Sequence, residues 1–505
     1  MSISTAIGSE RRSRVSGYKI KRGFFDNETP NLPQVVVILG EANTANQASI
    51  TETKKEITSA DEAGQVYGFG SPIHQIMRIL RPVSGDGIGG IPTIVIPQIT
   101  AGGATATVIV WTVTGTATAN ATHTLIVGGR ENLDFKPYSY NVVIGDTPTL
   151  IAAKIADVVN GITGSPFIAT VLAGVLTLTT KWKGVSSANV NAVISNGGTG
   201  AGVSYALTTT TPGTGVVDLS GALAQFEDNW YTTVINSYGT ATLAALEAFN
   251  GVPDDDTPTG RYEGRIFKPF MAFFGSTLAD KDDLVAITDA AARVDQVTNV
   301  LCPAPGSSGM PWEAAANMVA LFARVMQDSP HLDVNGKSYP DMPIPLSNTI
   351  GDMASYDNRD FLVKKGCSTV LLDKGSYKVQ DLVTTYHPDD ETPLQFSYCR
   401  NLNLDWNVKD GYSVLENIRV KDHVLIKDTQ VTDVAKAVKP KEWKAVVFQY
   451  LDDLAAKALI NDPAWSKASL RVEISTVNPN RFETFFRYKR TGIARIESTD
   501  VEAGY

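Results

Sequence analysis

Cysteine, histidine and unbroken apolar sequence are all scarce in this chain of 505 residues, and each scarcity removes a class of protein. The three cysteines, Cys302, Cys367 and Cys399, form no CxxC pair and lie near no histidine pair at ligand spacing. That excludes a zinc ribbon and a disulfide scaffold, and leaves them as buried small apolar residues. Their odd number keeps a bridge between subunits open. The five histidines (His74, His123, His331, His387, His423) are scattered, and none stands beside a GxSxG elbow or an HExxH pair. No catalytic residue, cofactor site or metal site is therefore assigned. No stretch approaches the roughly 20 apolar residues of a membrane-spanning helix. Met1 to Glu10 is polar and precedes Arg11, Arg12 and Arg14, so no signal peptide is read and a chain soluble in a cytoplasm is expected. Basic charge is also short, with 44 Lys and Arg against 53 Asp and Glu, a net −9. A general nucleic-acid binder needs the opposite balance.

What is present is core-forming material, 43% apolar with 19% charged residues, enough for two or three domains of about 150 residues each. Residues 1–25 hold six basic side chains (Arg11, Arg12, Arg14, Lys19, Lys21, Arg22) against Glu10, ahead of the apolar run Val35 to Leu39. This reads as an extended arm, able to reach about 100 Å if fully stretched, before a first buried strand. Helical patterning follows from Ser59 to Leu80 in two pieces, capped by Ser59 and begun by Pro72, and then the strand Ile91 to Ile96.

Between Pro97 and Gly213 the composition shifts, to 9 charged residues with 21 threonines and 15 glycines. Short β-branched segments (Thr105–Thr114, His123–Val127, Tyr138–Ile144, Phe167–Leu172, Val175–Thr180) and one helix, Thr147–Asn160, predict a small β-rich module. Strand and helix alternation resumes after Thr214, through Trp230–Ile235, Leu243–Phe249, Pro269–Phe274, Asp280–Val294, Val297–Leu301 and Glu313–Met326. The expected fold class is a discontinuous, layered α/β core interrupted by a β-rich α+β domain. That domain is expected to face outward on exposed linkers and to be dispensable. Residues 330–440 predict only strands, around Cys367–Leu372, Lys378–Tyr386 and Phe396–Tyr398. The last part predicts an amphipathic helix, Lys441–Ile460, and a hairpin from Leu470–Ile474 turning at Asn478-Pro479-Asn480 into Arg481–Lys489. A strand-like piece, Ile493–Glu497, trails to Tyr505.

Several motifs fail on context. Gly64 to Gly70 and Gly85 to Gly90 lack the GK[ST] ending of a phosphate loop and read as turns. The runs Asp254-Asp255-Asp256 and Asp389-Asp390-Glu391 lack the alternating ligands of a hard-cation loop and read as solvated.

The order of parts (basic arm, α/β core, Thr/Gly-rich insertion, amphipathic helix, hairpin, trailing strand) resembles a contractile-tail sheath protein of Mu-like tailed phages. The residues that carry the resemblance are Leu32 to Glu41, Tyr67 to Ile73 with Met77 and Arg81, Leu382 to Tyr386, and Arg471 to Arg495. The Arg-rich run common before the terminal domain is missing from 360–410. The resemblance implies a non-enzymatic subunit that stacks as six-membered rings around a tail tube and contracts to drive it through a host envelope. It would be assembled in a host cytoplasm and reside in the virion. Its partners would be copies of itself, the tube protein, and baseplate and terminator proteins, without nucleic acid or membrane insertion. The sheath of a tailocin or other bacterial contractile injection machine stays open. So does a different class, a secreted enzyme with a β-rich binding module. The implied divisions are 1–33 (arm), 34–97 and 214–440 (core), 98–213 (protruding insertion), 441–491 (helix and hairpin beside the tube) and 492–505 (arm). Strand addition between subunits points to Val15, Tyr18, Ile20, Phe24, Val472, Ile474, Phe482, Phe486, Tyr488, Ile493, Arg495 and Ile496 as interface residues. Lys441, Lys444 and Lys457 would face the tube.

Overall fold

Every residue of the first strand, β1 (Val36–Glu41), is buried, the condition of a parallel strand covered on both faces. The computed structural model describes residues 31–503 except 86, 254, 255, 390, 392 and 393. They form two compact units, Leu32–Asn407 with the residues from Arg490 onward, and Val408–Lys489.

In the first unit β1 leads to β2 (Lys55–Glu56), α1 (Ala60–Tyr67), α2 (Pro72–Leu80) and β3 (Thr93–Gln98). Ser59 and Ser71 cap the two helices, accepting the N–H of Glu62 at 3.1 Å and of His74 at 3.2 Å. Then come β4 (Val108–Thr114), β5 (Ala121–Val127), the two-residue strands β6 (Asn132–Leu133) and β7 (Lys136–Pro137), and β8 (Ser139–Val142). They are followed by α3 (Pro148–Gly161), β9 (Phe167–Leu172), β10 (Val175–Thr180), β11 (Ala192–Ser195) and β12 (Ser204–Thr211). The chain continues through α4 (Ser220–Ala224), β13 (Thr233–Asn236), α5 (Leu243–Asn250), β14 (Met271–Ser276), α6 (Lys281–Thr288), β15 (Asn299–Pro303) and α7 (Pro311–Asp328). Last are α8 (Tyr356–Lys364), β16 (Thr369–Asp373), β17 (Ser376–Asp381) and the start of α9 (Cys399–Arg419).

The main sheet runs β15-β14-β13-β1-β3-β2, parallel except for the edge strand β2. Its strands come from both sides of residues 98–213. Alternate residues serve opposite faces. Val36, Ile38, Ile235, Met271 and Phe273 share a cluster with Ile73, Met77, Trp312, Val319 and Phe322 of α2 and α7. Val37, Leu39, Ile96, Val234 and Ala272 pack with Leu223, Phe226 and Leu246 on the other side. The threonine-rich residues build two antiparallel sheets, β12-β4-β10-β9 and β11-β5-β8, with α3 packed on the first.

Those residues are not a loosely tethered module. Trp182 is fully buried with its ring 5.9 Å from Trp312, edge to face, and belongs to the same apolar cluster as the parallel sheet. The Arg130 guanidinium forks onto Glu313 of α7 at 2.8 and 3.0 Å, and Arg78 of α2 pairs with Asp134 at 2.9 Å. Removing residues 98–213 would uncover Trp312 and leave the buried Glu313 without its cation, at a cost in the stability of the first unit.

Residues 330–440 differ most from the sequence reading. Two helices, α8 and α9, were unmarked there, and Phe396–Tyr398 contributes an isolated bridge, Val383 to Tyr398, in place of a strand. α9 carries Asn401, Asn403, Asn407 and Gly411, so it shows neither a clean stripe nor high intrinsic propensity. α6 stops at Thr288, short of the expected Val294.

The second unit holds the rest of α9, β18 (Val424–Leu425), β19 (Ala437–Val438), α10 (Pro440–Ala456), β20 (Ile460–Asn461), α11 (Pro463–Ser469), β21 (Arg471–Ile474) and β22 (Phe482–Phe485). It begins at Val408, upstream of the expected 441. α10 buries Trp443, Val447, Tyr450, Leu451 and Leu454, the apolar stripe seen in the sequence. The return strand stops at Phe485, before the expected Lys489.

Trp182→Ala should lower the unfolding free energy in a urea titration by about 3–5 kcal/mol, the usual loss for a buried tryptophan. A change below about 1 kcal/mol would mean that residues 98–213 pack independently of the parallel sheet.

Candidate assembly surfaces

β21 and β22 pair Arg471 with Phe485, Val472 with Thr484, Glu473 with Glu483 and Ile474 with Phe482. Among the described residues this sheet has two strands only, so both outer edges keep free backbone groups. α10 holds the hairpin in place: the Trp443 indole N–H donates to Thr484 Oγ1 at 3.0 Å, and Tyr412 stacks near both Trp443 and Phe486, at 5.7 and 5.5 Å. An open groove of about 640 Å³ runs along it, lined by Tyr412, Glu416, Arg471, Glu473, Arg481 and Phe485 among others. Burial raises Glu416 above the usual carboxylate range, with Lys409 pulling it back.

Of the expected interface residues, Val472, Ile474, Phe482, Phe486 and Tyr488 are half-buried in this unit. Val15, Tyr18, Ile20 and Phe24 lie outside the described residues. Thr484 and Tyr412, which with Trp443 fix the hairpin, were not singled out in the sequence. Trp443 was visible in the helix stripe as core, but Tyr412 sits in the helix that the pattern concealed. Phe485, 50% exposed on β22, was also passed over.

The three lysines of the helix region already have local partners. Lys441 donates its backbone N–H to Asp428 Oδ1 at 2.9 Å and its amine to the Asp428 carbonyl at 3.3 Å. Lys444 sits 5.5 Å from the Phe448 ring centre. Lys457 is also engaged within the chain. Nearby, Lys467 pairs with Asp452 at 2.5 Å.

After the hairpin the chain returns to the first unit and is clamped there by three residues. Arg490 binds Asp405 bidentately at 2.7 and 2.5 Å. Arg400 donates to the Thr491 carbonyl at 2.5 Å and to its hydroxyl at 2.6 Å. Arg495 reaches Asp381 at 3.1 Å and Asp333, and its guanidinium lies 3.9 Å from the Tyr398 ring centre. Burial raises the Asp381 pKa and Arg495 opposes that rise. Residues Ile493–Glu497 form no strand, contrary to the alternation of the sequence, because side-chain anchors set their path and no backbone ladder does. Ile493 is half-buried; Ile496 is 88% exposed and Val501 82% exposed.

The ordinary ligand position of this kind of sheet is closed. Counting its parallel strands along the chain, the order is 2-1-3-4-5, for which ligands bind beyond the carboxyl ends near strands 1 and 3. Here Glu41, Trp182 and Ser186 fill the end of β1, each at most 2% exposed. Among the described residues no group of His, Cys, Asp and Glu is arranged to hold a metal. His74 accepts the Gly70 N–H at 3.1 Å, and burial pushes its pKa down to about 3, which keeps it neutral. Gly68, at φ +96°, is a turn glycine: a Cβ there would run into the Asn43 amide. The three cysteines are free and buried. Glu391 accepts the Tyr386 hydroxyl and, at 2.6 Å, the Gln395 N–H.

Arg495→Ala should strand two carboxylates in a poorly hydrated place and lower stability by about 3–5 kcal/mol, measured by urea unfolding. It should also speed proteolysis after residue 490. Unchanged stability would show that the clamp rests on Arg490 and Thr491 alone.

No family model matches the chain, and no curated protein matches it. Among solved structures the chain is similar to the sheath tail protein of Desulfitobacterium hafniense, at 11% identity and a TM-score of 0.45, over 94% of this chain and 100% of that one. It is also similar to the helical sheath of the anti-feeding prophage in its contracted state, at 10% identity and a TM-score of 0.42, over 98% of this chain and 99% of the other.

Proposed function

We propose that the chain is a structural subunit of a contractile tail sheath. It would stack as six-membered rings around a tail tube and contract to drive the tube into a host. The observation that carries this reading is the two-stranded hairpin β21–β22, fastened to its own helix and, among the described residues, open at both edges. An isolated two-stranded sheet is marginal in water and gains most from further strands. The chain has two segments of the right kind: residues 15–24, and the tail beyond Arg495 with exposed Ile496 and Val501. Each added strand brings about four hydrogen bonds worth a net 0.5–1.5 kcal/mol each, against about 1–2 kcal/mol of backbone entropy per residue ordered. Burial of Val472, Ile474, Phe482, Phe486, Tyr488 and the incoming apolar residues must supply the balance. Links of this type let rigid cores move to a second packing while the subunits stay joined.

The order of segments and the stretches at 32–41, 67–81, 382–386 and 471–495 support a sheath of the Mu-like kind, with a discontinuous layered core and the insertion at 98–213. Filling of the sheet's ligand position by Trp182 and Ser186 supports a non-enzymatic role. Virion residence, and partnership with tube, baseplate and terminator proteins, belong to the same reading. A bacterial contractile injection machine would use the same geometry; neighbouring genes for capsid and terminase distinguish the two.

Electron microscopy of the purified chain should show long hollow cylinders. Removing residues 1–24, or everything after Arg495, should leave a cooperatively folding protein that forms none. Normal cylinders from either truncation would reject strand exchange for that end.

Lys444 is the candidate contact to an acidic tube, at under about 1 kcal/mol per site but repeated along the polymer. Lys444→Glu should weaken salt-sensitive attachment to the tube while the circular dichroism of the free subunit stays unchanged. Equal attachment at all salt concentrations would restrict Lys444 to its contact with Phe448.

A further inference from the structure

Glu41 closes β1 at the carboxyl edge of the parallel sheet with no exposed surface. Its Oε2 accepts the Ser186 hydroxyl at 2.8 Å, and its Oε1 is buried without a partner. Ser186 lies in the short turn Val185–Ser187 and also receives the Trp182 indole N–H at 3.1 Å. Gly184 approaches so closely that a Cβ would sit 2.7 Å from Oε2, at a φ of +102°. The threonine-rich segment therefore rests on the sheet through a carboxyl group.

Among the described residues no cation pairs with that group. Lys181 is directed to the carbonyls of Thr163, at 2.8 Å, and Phe69, at 3.4 Å. Across the sheet, Tyr238 donates to Gln98 at 2.7 Å; its hydroxyl is kept from ionising by burial first, then by the nearby charge of Glu41 and Glu52. Glu52 itself accepts the Ile99 N–H at 3.3 Å. A carboxylate in this position would have its charge buried with only neutral hydroxyl donors and, among the described residues, no counter-ion, which is unfavourable. Burial accordingly raises Glu41 to about 7, against the pull of Ser186 and Thr100.

We infer that Glu41 is a proton-operated joint: as the neutral acid it holds the Gly184–Ser187 turn on β1, and on losing its proton it releases the turn to water. Because the closed form binds the proton more tightly than an open, hydrated carboxyl does, closure is strongest below about pH 4.5. It weakens as pH rises and levels off above about pH 7.

Hydrogen exchange of the amides at 182–187 in the full chain, corrected for intrinsic rates, tests this. Protection should fall by up to about tenfold per pH unit between those limits and then level. Glu41→Gln, which mimics the neutral acid, should keep the turn protected and flatten the profile. Ser186→Ala, which removes a donor to the anion, should move the levelling point to higher pH. A flat profile in the unaltered chain, or an unchanged slope in Glu41→Gln, would overturn the inference.

Discussion

Burial of both faces of one parallel sheet is the constraint on which the rest of the first unit depends. Strands without a polar face cannot be left uncovered, so α2 and α7 must lie on one side and α4 and α5 on the other. The fit between sheet and helix is close: at Gly275 of β14 a Cβ would overlap the Pro311 carbonyl at the start of α7. A chain with this much covered sheet still has an exposed flank on α7, and the threonine-rich segment covers it with Trp182 and Arg130. What reads by composition as an appendage is thus part of the core.

The two ends of the chain's function as we read it rest on different physics. The first unit holds its returning chain end through charged and polar pairs, as in the Arg400–Thr491 and Arg490–Asp405 contacts. Among the described residues the hairpin unit instead leaves its two sheet edges without a further strand, a liability that natural proteins usually cover. Rigid blocks joined by completed edges suit a lattice that must move without coming apart. The clamp around Arg495 adds a further division: the chain end is fixed to the first unit at that residue, while Ile496 and Val501 beyond it are exposed.

Charge plays local parts rather than a global one. The net −9 does not gather at a site. Instead single carboxylates act where burial makes them consequential: Glu313 under Arg130, Asp381 and Asp333 under Arg495, and Glu41 against the Ser186 hydroxyl.

The sequence by itself determined most element positions where a pattern had one dominant cause. Val36–Leu39 is apolar throughout and becomes the body of a buried strand; Ser59, Ser71 and Thr147 stand at helix starts because their hydroxyls accept free N–H groups. Phe167–Leu172 and Val175–Thr180 were legible to the residue, as β-branched runs around Ala173-Gly174. The hairpin and the Trp443 stripe were legible too, and with them half of the candidate surface. Only tertiary structure decided the rest. α9 is held by long-range partners such as Tyr450, whose hydroxyl donates to the Val408 carbonyl at 2.6 Å, and local periodicity carries no trace of them. Arg495 looked like one member of an alternating strand, yet Asp333 and Asp381, more than a hundred residues away in sequence, fix its place. Composition marked residues 98–213 as different in kind; that they share one core with the parallel sheet depends on contacts between Trp182 and Trp312, which no local pattern encodes.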